Sequence, residues 1–186
     1  LVGLAIHIGS QLQSLSPFEE AFKRLHKIFT NLTSENYKIE TIDLGGGLGI
    51  DYSQDIVLSI SDYSRLVTKY FSNFDCNIIF EPGRRIVGNA GILVSQVICV
   101  KPGIEKQFVV LDTAMNDLLR PSLYGATHQI MPITDNQHES PQVLADIVGP
   151  ICETGDTFAT GVKLANISEG DLVAINSAGA YGAVMS

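Results

Sequence analysis

The sequence contains few cationic residues and no basic tract. Lysine and arginine together number 12 against 20 aspartates and glutamates, so the formal net charge is −8 at pH 7. Proteins that bind nucleic acids present clustered basic side chains, and anionic membrane surfaces attract the same groups. No apolar run approaches the roughly 18 residues that a membrane-spanning helix needs. We therefore expect neither a nucleic-acid partner nor a membrane partner.

Cysteine is also scarce. The chain has three, Cys76, Cys99 and Cys152, which lie far apart and form no C-x-x-C pair. An odd number of distant cysteines predicts neither a disulfide framework nor a zinc site. We expect no metal centre and a reducing, cytoplasmic setting.

The length of 186 residues and the hydrophobic content of 45% allow one large or two small domains. The sequence starts with "LVGLAIHI", which already reads as a strand, and it has no initiator methionine. It stops at "YGAVMS" without a terminating signal. We expect this chain to be a piece of a longer protein.

The first part alternates predicted strands with predicted helices. The runs "LVGLAIHI", "IETIDL" and "CNIIF" predict three short strands, the last ending as a buried strand before Glu81. Ser16, Pro17 and Glu19 predict a capping-box start for the first helix. Strands separated by helical crossovers imply parallel pairing. The apolar stripes of the two helices are Phe18, Ala21, Phe22, Leu25, Ile28, Phe29 and Leu32, then Tyr63, Leu66, Val67, Tyr70, Phe71 and Phe74.

The pattern changes after Val87. Short β-rich runs follow, separated by Gly, Pro, Asn and Asp, and no convincing amphipathic helix appears. The runs are "AGILVSQVICVK", "QFVVLD", "PQVLADIVG" and "GDLVAIN". This pattern predicts a mostly antiparallel β domain, with a boundary near residues 86–92.

Polar residues follow each strand of the first part. The first strand is followed by "HIGSQ", the second by "DLGGGLG", and the third by "EPGR". The carboxyl ends of strands are where barrels and open α/β sheets place their active sites. We therefore expect a site at these strand ends.

Several of these groups have two interpretations. The turn "DLGGGLG" either closes its backbone amides on an anion, with Ser10 assisting, or is only a tight turn between strand and helix, because its spacing matches neither dinucleotide-binding nor P-loop motifs. His7 is either a functional group or a satisfied core residue. Cys152 in "GPICETGD" is either a small buried hydrophobe or a loop thiol, and the surrounding Gly, Pro and Thr favour the loop. Arg120 and Tyr124 fall in the proline-broken segment "LLRPSLYGA", and an arginine beside proline is ordinarily at the surface.

Six segments together resemble the fold-type III pyridoxal-phosphate decarboxylases, and within them the diaminopimelate decarboxylase group. They are "HIGSQ", "IDLGGGLGIDY", "EPGRRIVGNAG", "DTAMNDLLRPSLYGA", "GPICETGD" and "INSAGAYG", which occur in family order. The resemblance implies that residues 1–87 are the last βα units of a TIM (β/α)8 barrel and that residues 88–186 are the C-terminal β domain. It also implies decarboxylation of meso-diaminopimelate to L-lysine and CO2, the last step of lysine biosynthesis.

The resemblance implies a role for each motif residue. Glu81 would meet the pyridine nitrogen of pyridoxal phosphate, His7 would stack on its ring, and Tyr181 would reach both cofactor and substrate. Cys152 would return a proton to the α-carbon, so the catalytic set is Cys152, Glu81 and His7. The further cofactor-binding residues would be Ser10, Gly45, Gly46, Gly47, Pro82, Gly83 and Arg84. The substrate-binding residues would be Arg84, Arg120, Tyr124, Glu153 and Tyr181.

The resemblance further implies a head-to-tail homodimer with shared active sites, in which the Cys152–Glu153 loop comes from the second subunit. The lysine that holds the cofactor in this family lies upstream of the positions matched here, so we expect the chain alone to be inactive. A related decarboxylase for carboxynorspermidine or a basic amino acid is one alternative. A non-catalytic homologue is another, although the retained Cys152 and Glu153 argue against it.

Overall fold

The computed structural model describes residues 1–53, 56–133 and 141–186. Its described residues divide into two compact units. The first unit comprises residues 1–51 and 56–86, and the second comprises residues 52–53, 87–133 and 141–186. Assigning these units to a barrel and a β domain remains a prediction.

The first unit is a three-stranded parallel sheet with helical crossovers. Its strands follow the order β1-β2-β3, and both neighbouring pairs are parallel, which confirms the pairing predicted from the alternation of elements. The elements are β1 (Gly3–Ala5), α1 (Ser16–Ser34), β2 (Thr41–Asp43), α2 (Ile60–Phe71), β3 (Asn77–Ile79) and the short α3 (Gly83–Val87).

The two long helices of the first unit bury most of the predicted stripes, but Ile28 of α1 is 49% exposed. Because apolar residues three and four positions apart lie on one helix face, α1 and α2 can cover the sheet with that face. The buried stripe residues are Phe18, Phe22, Leu25 and Phe29 in α1, and Tyr63, Leu66 and Phe71 in α2. Burial raises the pKa of the Tyr63 hydroxyl to about 12.

The predicted capping box at the start of α1 is wrong. The N-cap is Leu15, and no side chain caps the helix. The Glu19 carboxylate instead accepts hydrogen bonds from Lys69 Nζ at 2.8 Å and Tyr70 Oη at 3.0 Å. These two contacts, with Lys69 the larger, lower the pKa of Glu19. The Glu19 carboxylate, which the predicted capping box required at the start of α1, is therefore bound to residues of α2 instead.

The strand before Glu81 is less buried than its apolar sequence predicted. Ile78 is half-buried, whereas Ile79 and Phe80 are each 45% exposed. The reason lies in the sheet, where β3 pairs with β2 alone among the described strands and forms an edge.

The second unit is a six-stranded mixed sheet. The strand order is β6-β9-β4-β5-β7-β8, and four of the five described pairs are antiparallel. The predicted mostly antiparallel sheet is therefore confirmed, and the β5–β7 pair is its parallel exception among the described pairs. The strands are β4 (Leu93–Lys101), β5 (Gln107–Leu111), β6 (Ile130–Pro132), β7 (Gln142–Val148), β8 (Thr157–Ala165) and β9 (Leu172–Ile175).

The proline-broken segment contains a helix that the periodicity did not predict. Helix α4 spans Arg120–Tyr124, with Pro121 in its first turn. A proline is tolerated there because the first amides of a helix have no intrahelical acceptor. Gly125 ends the helix with φ of 60°, a left-handed conformation that favours glycine. Within the described residues, no helix combines the length and apolar character needed to cross a bilayer.

Candidate active site

Three predicted site residues lie side by side beyond the ends of the parallel strands. Ala5, Asp43 and Ile79 are in register across the sheet. His7, Gly45 and Glu81 each follow two residues later, and the Glu81 amide donates to the Gly45 carbonyl oxygen at 2.9 Å. The side chains of His7 and Glu81 are exposed. His7 is therefore not a core residue.

The consecutive glycines of the central loop allow the neighbouring strand ends to come close. A Cβ on Gly45 would lie 2.2 Å from the Ile6 carbonyl oxygen, and a Cβ on Gly46 would lie 2.1 Å from that of Glu81. Any larger residue would push the adjacent strand ends apart. This close approach supports the tight-turn interpretation without excluding an anion site.

The same loop has amides that could bind an anion. The Gly45 amide donates to Asp43 Oδ1 at 2.8 Å. Those of Gly46 and Gly47 donate to no group in the part of the chain that the structure describes. Buried backbone amides are normally paired, and neighbouring unpaired amides in a glycine turn are a common anion-binding arrangement. Gly46 is buried, so its amide makes this loop a candidate anion site.

Two flanking segments hold this loop. Arg84 Nη2 donates to Ser10 Oγ at 3.0 Å, which joins "EPGR" to "HIGSQ". The Gly83 amide donates to the Glu81 carbonyl oxygen at 2.8 Å, so Pro82 and Gly83 form a tight turn into α3. These contacts place a hydroxyl and a guanidinium beside the glycine loop.

Gln11 and Arg85 support the loop from outside. The Gln11 side-chain amide donates to the Ile50 carbonyl oxygen at 2.6 Å and accepts from the Ile50 amide at 3.2 Å. Arg85 Nη1 donates to the Gly49 carbonyl oxygen at 3.0 Å. The second arginine after Glu81, to which the resemblance assigns no role, therefore braces the segment that follows the glycines.

In the second unit, the predicted substrate residues differ in burial. Arg120 is only 7% exposed, contrary to the surface position expected for an arginine beside proline, whereas Tyr124 is 65% exposed. Cys152 and Glu153 are both exposed. The loop interpretation of Cys152 is therefore correct, and the buried-hydrophobe alternative is wrong. Tyr181 is exposed and has φ of 57°, which is uncommon for a residue with a side chain.

The Cys152 loop lies against α4. A Cβ on Gly155 would lie 2.9 Å from Ser122 Oγ in the middle of that helix. Asp156 closes the loop, because Oδ2 accepts from the Ile151 amide at 2.8 Å and Oδ1 accepts from the Met115 amide at 2.6 Å. The thiol and carboxylate of the loop thus share one region with Arg120 and Tyr124.

Sequence reasoning gave no role to three buried residues of the second unit. Asp156 is 2% exposed, His128 is 6% exposed and Tyr52 is 5% exposed. Tyr52 and His128 contact one another and Arg120, although Tyr52 lies far from both partners in the sequence. No local pattern reports a contact over that separation.

Comparison with protein families identifies the chain. Residues 18–179 match the model described as pyridoxal-dependent decarboxylase, C-terminal sheet domain. The chain belongs to this family. The match confirms the predicted resemblance of the chain to pyridoxal-dependent decarboxylases.

Individual relatives of this decarboxylase family carry a narrower name. The chain is 47% identical to a diaminopimelate decarboxylase of Zymomonas mobilis and 43% identical to one of Aquifex aeolicus. These alignments cover 99% and 100% of this chain but 44% of each relative. The chain therefore spans less than half the length of the curated relatives it matches.

Solved structures agree in fold. An Aquifex aeolicus crystal structure superposes with a TM-score of 0.95 at 44% identity, covering 100% of this chain and 46% of that one. The Helicobacter pylori diaminopimelate decarboxylase, solved in complex with L-lysine, gives 0.93 at 40% identity, covering 100% and 45%. This chain is thus similar to one part of each of these proteins.

Proposed function

We propose that this chain is the C-terminal half of a diaminopimelate decarboxylase. In this proposal, the full protein converts meso-diaminopimelate to L-lysine and CO2, and the first unit supplies the last βα units of a TIM barrel. The observation that carries the proposal is the glycine loop with unpaired amides, flanked by Ser10 and level with His7 and Glu81. The relatives that bear the diaminopimelate decarboxylase name support the choice of substrate.

The residues present fit pyridoxal phosphate. The amides of Gly46 and Gly47, with the Gly45 turn, would hold its phosphate, and Ser10 and Arg84 would add a hydroxyl and a positive charge. Pro82 and Gly83 would shape the adjoining turn. His7 would lie against the ring. Tyr181, a residue of the second unit, would also contact the cofactor. When bound, this cofactor accepts the electron pair that the α-carbon retains as CO2 leaves.

Glu81 would keep the ring nitrogen protonated. A carboxylate stabilises a neighbouring positive charge, whereas a neutral amide does not. In this structure Glu81 is exposed and in line with the glycine loop, so its carboxylate is accessible to a ligand held there.

Substrate selection would use the second unit. Arg120, with Tyr124 and Arg84, would bind the distal carboxylate, because a guanidinium can pair with a carboxylate through two parallel hydrogen bonds. Glu153 would bind the distal ammonium group. Cys152 would supply the proton for the new C–H bond at the α-carbon after the C–C bond to the carboxyl group breaks.

The chain would act only as part of a longer dimeric protein in the cytoplasm. None of its lysines falls in a matched motif, so the cofactor-linking lysine would come from outside this chain. We propose a homodimer with shared active sites, in which Cys152 and Glu153 serve the partner's cofactor. Since α4 lies against the Cys152 loop, Arg120 and Tyr124 would go to the same site as Cys152.

A substrate comparison tests the proposal. Full-length protein with pyridoxal phosphate should release CO2 from meso-diaminopimelate far faster than from carboxynorspermidine, ornithine or arginine. Glu153→Gln should raise the KM for diaminopimelate about tenfold or more, since hydrogen bonds to charged groups contribute roughly 1.5–3 kcal/mol. The variant should bind the cofactor normally, because glutamine keeps an oxygen for the Gly155 amide.

The matched control is Glu169→Gln, which removes an exposed carboxylate in the same unit and should leave the KM unchanged. Faster release of CO2 from carboxynorspermidine or a basic amino acid than from meso-diaminopimelate would show that diaminopimelate is not the substrate. An equal loss of cofactor affinity in Glu153→Gln would show that Glu153 serves the fold.

A further inference from the structure

Arg120 has an unusual environment for a residue that binds substrate. Its guanidinium carbon lies 4.3 Å from the centroid of the Tyr52 ring, and its Nη1 lies 2.7 Å from Nε2 of His128. The Tyr52 and His128 rings also meet edge to face, with centroids 5.0 Å apart and an interplanar angle of 74°. Three buried side chains from distant parts of the sequence therefore form one mutually contacting cluster, which we call the Arg120 cluster.

The hydrogen-bond partners fix the tautomer of His128. Its Nδ1 lies 2.8 Å from the carbonyl oxygen of Asn176, directly after β9. A carbonyl oxygen only accepts, so Nδ1 carries the proton and donates. Nε2 of the neutral ring is then the acceptor for Arg120 Nη1. The Asn176 carbonyl oxygen, just after β9, thereby directs the Nε2 lone pair of His128 toward the Arg120 guanidinium.

The main chain also holds Tyr52 in the cluster. The Tyr52 carbonyl oxygen accepts from the Gln129 amide at 3.2 Å, and the Gln129 carbonyl oxygen accepts from the Asn176 amide at 2.9 Å. The segment at residue 52, the segment before β6 and the end of β9 are therefore linked. The tyrosine ring covers one face of the guanidinium, and the histidine occupies one of its nitrogens.

We propose that His128 and Tyr52 are positioning residues for Arg120, and that together they determine selectivity for substrates with a distal carboxylate. Arginine side chains have many rotamers, and holding one in advance reduces the entropy lost on binding. The hydrogen bond to His128 and the face of the Tyr52 ring together fix the orientation of the guanidinium. This inference rests on the proposed function, since it assumes that Arg120 binds the carboxylate.

Two ligands separate this role from a purely structural one. L-Lysine and 1,5-diaminopentane differ only by one carboxylate, so the ratio of their dissociation constants reports the interaction with that group. Calorimetric titration of the full-length protein loaded with cofactor measures both constants without depending on turnover. The wild type should bind L-lysine more tightly.

The variants of His128 form a matched pair. Glutamine places an oxygen near the Nε2 position and can accept from Arg120, whereas asparagine places its amide near Nδ1 and can only keep the bond to Asn176. His128→Gln should retain most of the preference for L-lysine. His128→Asn should reduce that preference about tenfold, because the bond lost involves a charged donor. Binding of 1,5-diaminopentane should change little in either variant.

Two variants of Tyr52 provide a second test, which remains usable if the His128 variants do not fold. Tyr52→Phe keeps the ring face under the guanidinium, whereas Tyr52→Leu removes it. We expect the preference to persist in Tyr52→Phe and to fall severalfold in Tyr52→Leu, in keeping with a desolvated cation–π contact. Thermal melts establish which variants fold.

Equal weakening of both ligands in the Asn and Leu variants, or an unchanged preference in them, would overturn the inference. The proposed function fails by a different result, namely a wild-type protein that neither decarboxylates diaminopimelate nor prefers L-lysine. In that case the positioning role of His128 and Tyr52 is refuted together with the proposed function. Decarboxylation by the wild type combined with unselective losses in the variants would overturn the positioning role alone.

Discussion

Gln11 and Tyr181 adopt left-handed backbone conformations beside predicted site residues. Both have φ of 57°. Such a conformation costs a non-glycine residue roughly 1–2 kcal/mol, and it persists where surrounding structure enforces it. For Gln11, the paired hydrogen bonds to Ile50 provide that enforcement. Tyr181 has the same conformation, and its ring is exposed.

The first prediction concerns Glu81. Replacing it with glutamine in the full-length protein keeps the size of the side chain but removes the charge that would hold the ring nitrogen protonated. We expect normal cofactor binding and a fall in kcat of about a hundredfold or more, in the range found when one electrostatic group is removed from an active site. Cofactor absorbance and CO2 release measure the two quantities.

Glu35→Gln is the control for Glu81, because Glu35 is an exposed carboxylate of the same unit that follows α1. It should leave both quantities unchanged. Near-normal turnover in Glu81→Gln would refute the assignment of Glu81 to the ring nitrogen.

At the scale of elements, short loops are fixed by buried polar side chains. The Cys152 loop has no regular secondary structure of its own. The Asp156 carboxylate nevertheless accepts hydrogen bonds from the Ile151 amide in the loop and from the distant Met115 amide. The Asp156 backbone oxygen also accepts from the Gly149 amide at 2.9 Å. A single carboxylate thus determines where the exposed thiol lies relative to α4.

The second prediction follows from Asp156. Asparagine has one acceptor oxygen, so in Asp156→Asn one of the two amides loses its partner. Loss of a hydrogen bond to a charged acceptor costs about 1.5–3 kcal/mol, which should lower the melting temperature by a few degrees. In the control Asp171→Asn, the remaining oxygen can still accept from the single Ser168 amide. Equal melting shifts for the two variants would contradict the role given to Asp156.

The third prediction is a pH dependence at the β4–β5 pair. The hydroxyl of buried Ser95 donates to Asp112, and the Gln96 amide donates to the same oxygen. These contacts, Ser95 first, lower the pKa of Asp112 below its ordinary value. Because the pKa is lower in the folded state, the stabilisation is present above the unfolded-state value and is lost as the pH falls through the folded-state value.

The destabilisation caused by Asp112→Asn should therefore be largest near pH 6 and shrink as the pH falls below about 4, the ordinary pKa of an aspartate, because the unfolded wild-type chain then takes up the proton first. Melting temperatures of both proteins at about pH 6 and about pH 2.5 measure the change. A difference that stays constant across this range would show that the charge of Asp112 contributes nothing.

At the scale of the whole molecule, the proposed function assigns roles to residues of both units. The glycine loop and Glu81 belong to the first unit, whereas Cys152 and Glu153 belong to the second. A two-fold dimer that exchanges these contributions would contain two equivalent shared sites.

The fourth prediction tests that sharing. Two inactive full-length variants are mixed, one without the cofactor-linking lysine and one with Cys152→Ala. A mixed dimer would then hold one site with both defects and one with neither. Activity should return to about a quarter of wild type under random subunit exchange. Persistent inactivity, with exchange verified by a mass-tagged subunit, would refute the shared site.

The sequence by itself determined the features that depend on local order. Helical spacing of apolar residues gave α1 and α2, and their position between short apolar runs gave the parallel order of β1, β2 and β3. The groups at the strand ends were predictable for the same reason, since parallel strands expose their carboxyl ends on one side. Six motifs in order were enough to identify the family.

Only the tertiary structure decided the features that depend on distant partners. Glu19 contacts α2 instead of capping α1, and α4 is too short for periodicity to reveal. The parallel β5–β7 pair joins strands separated by α4 and β6. Arg120 is buried because residues 52 and 128 enclose it, and neither is near it on a helix or strand face. Local patterns report neighbours along the chain, whereas burial and tautomer are set by whatever the fold brings into contact.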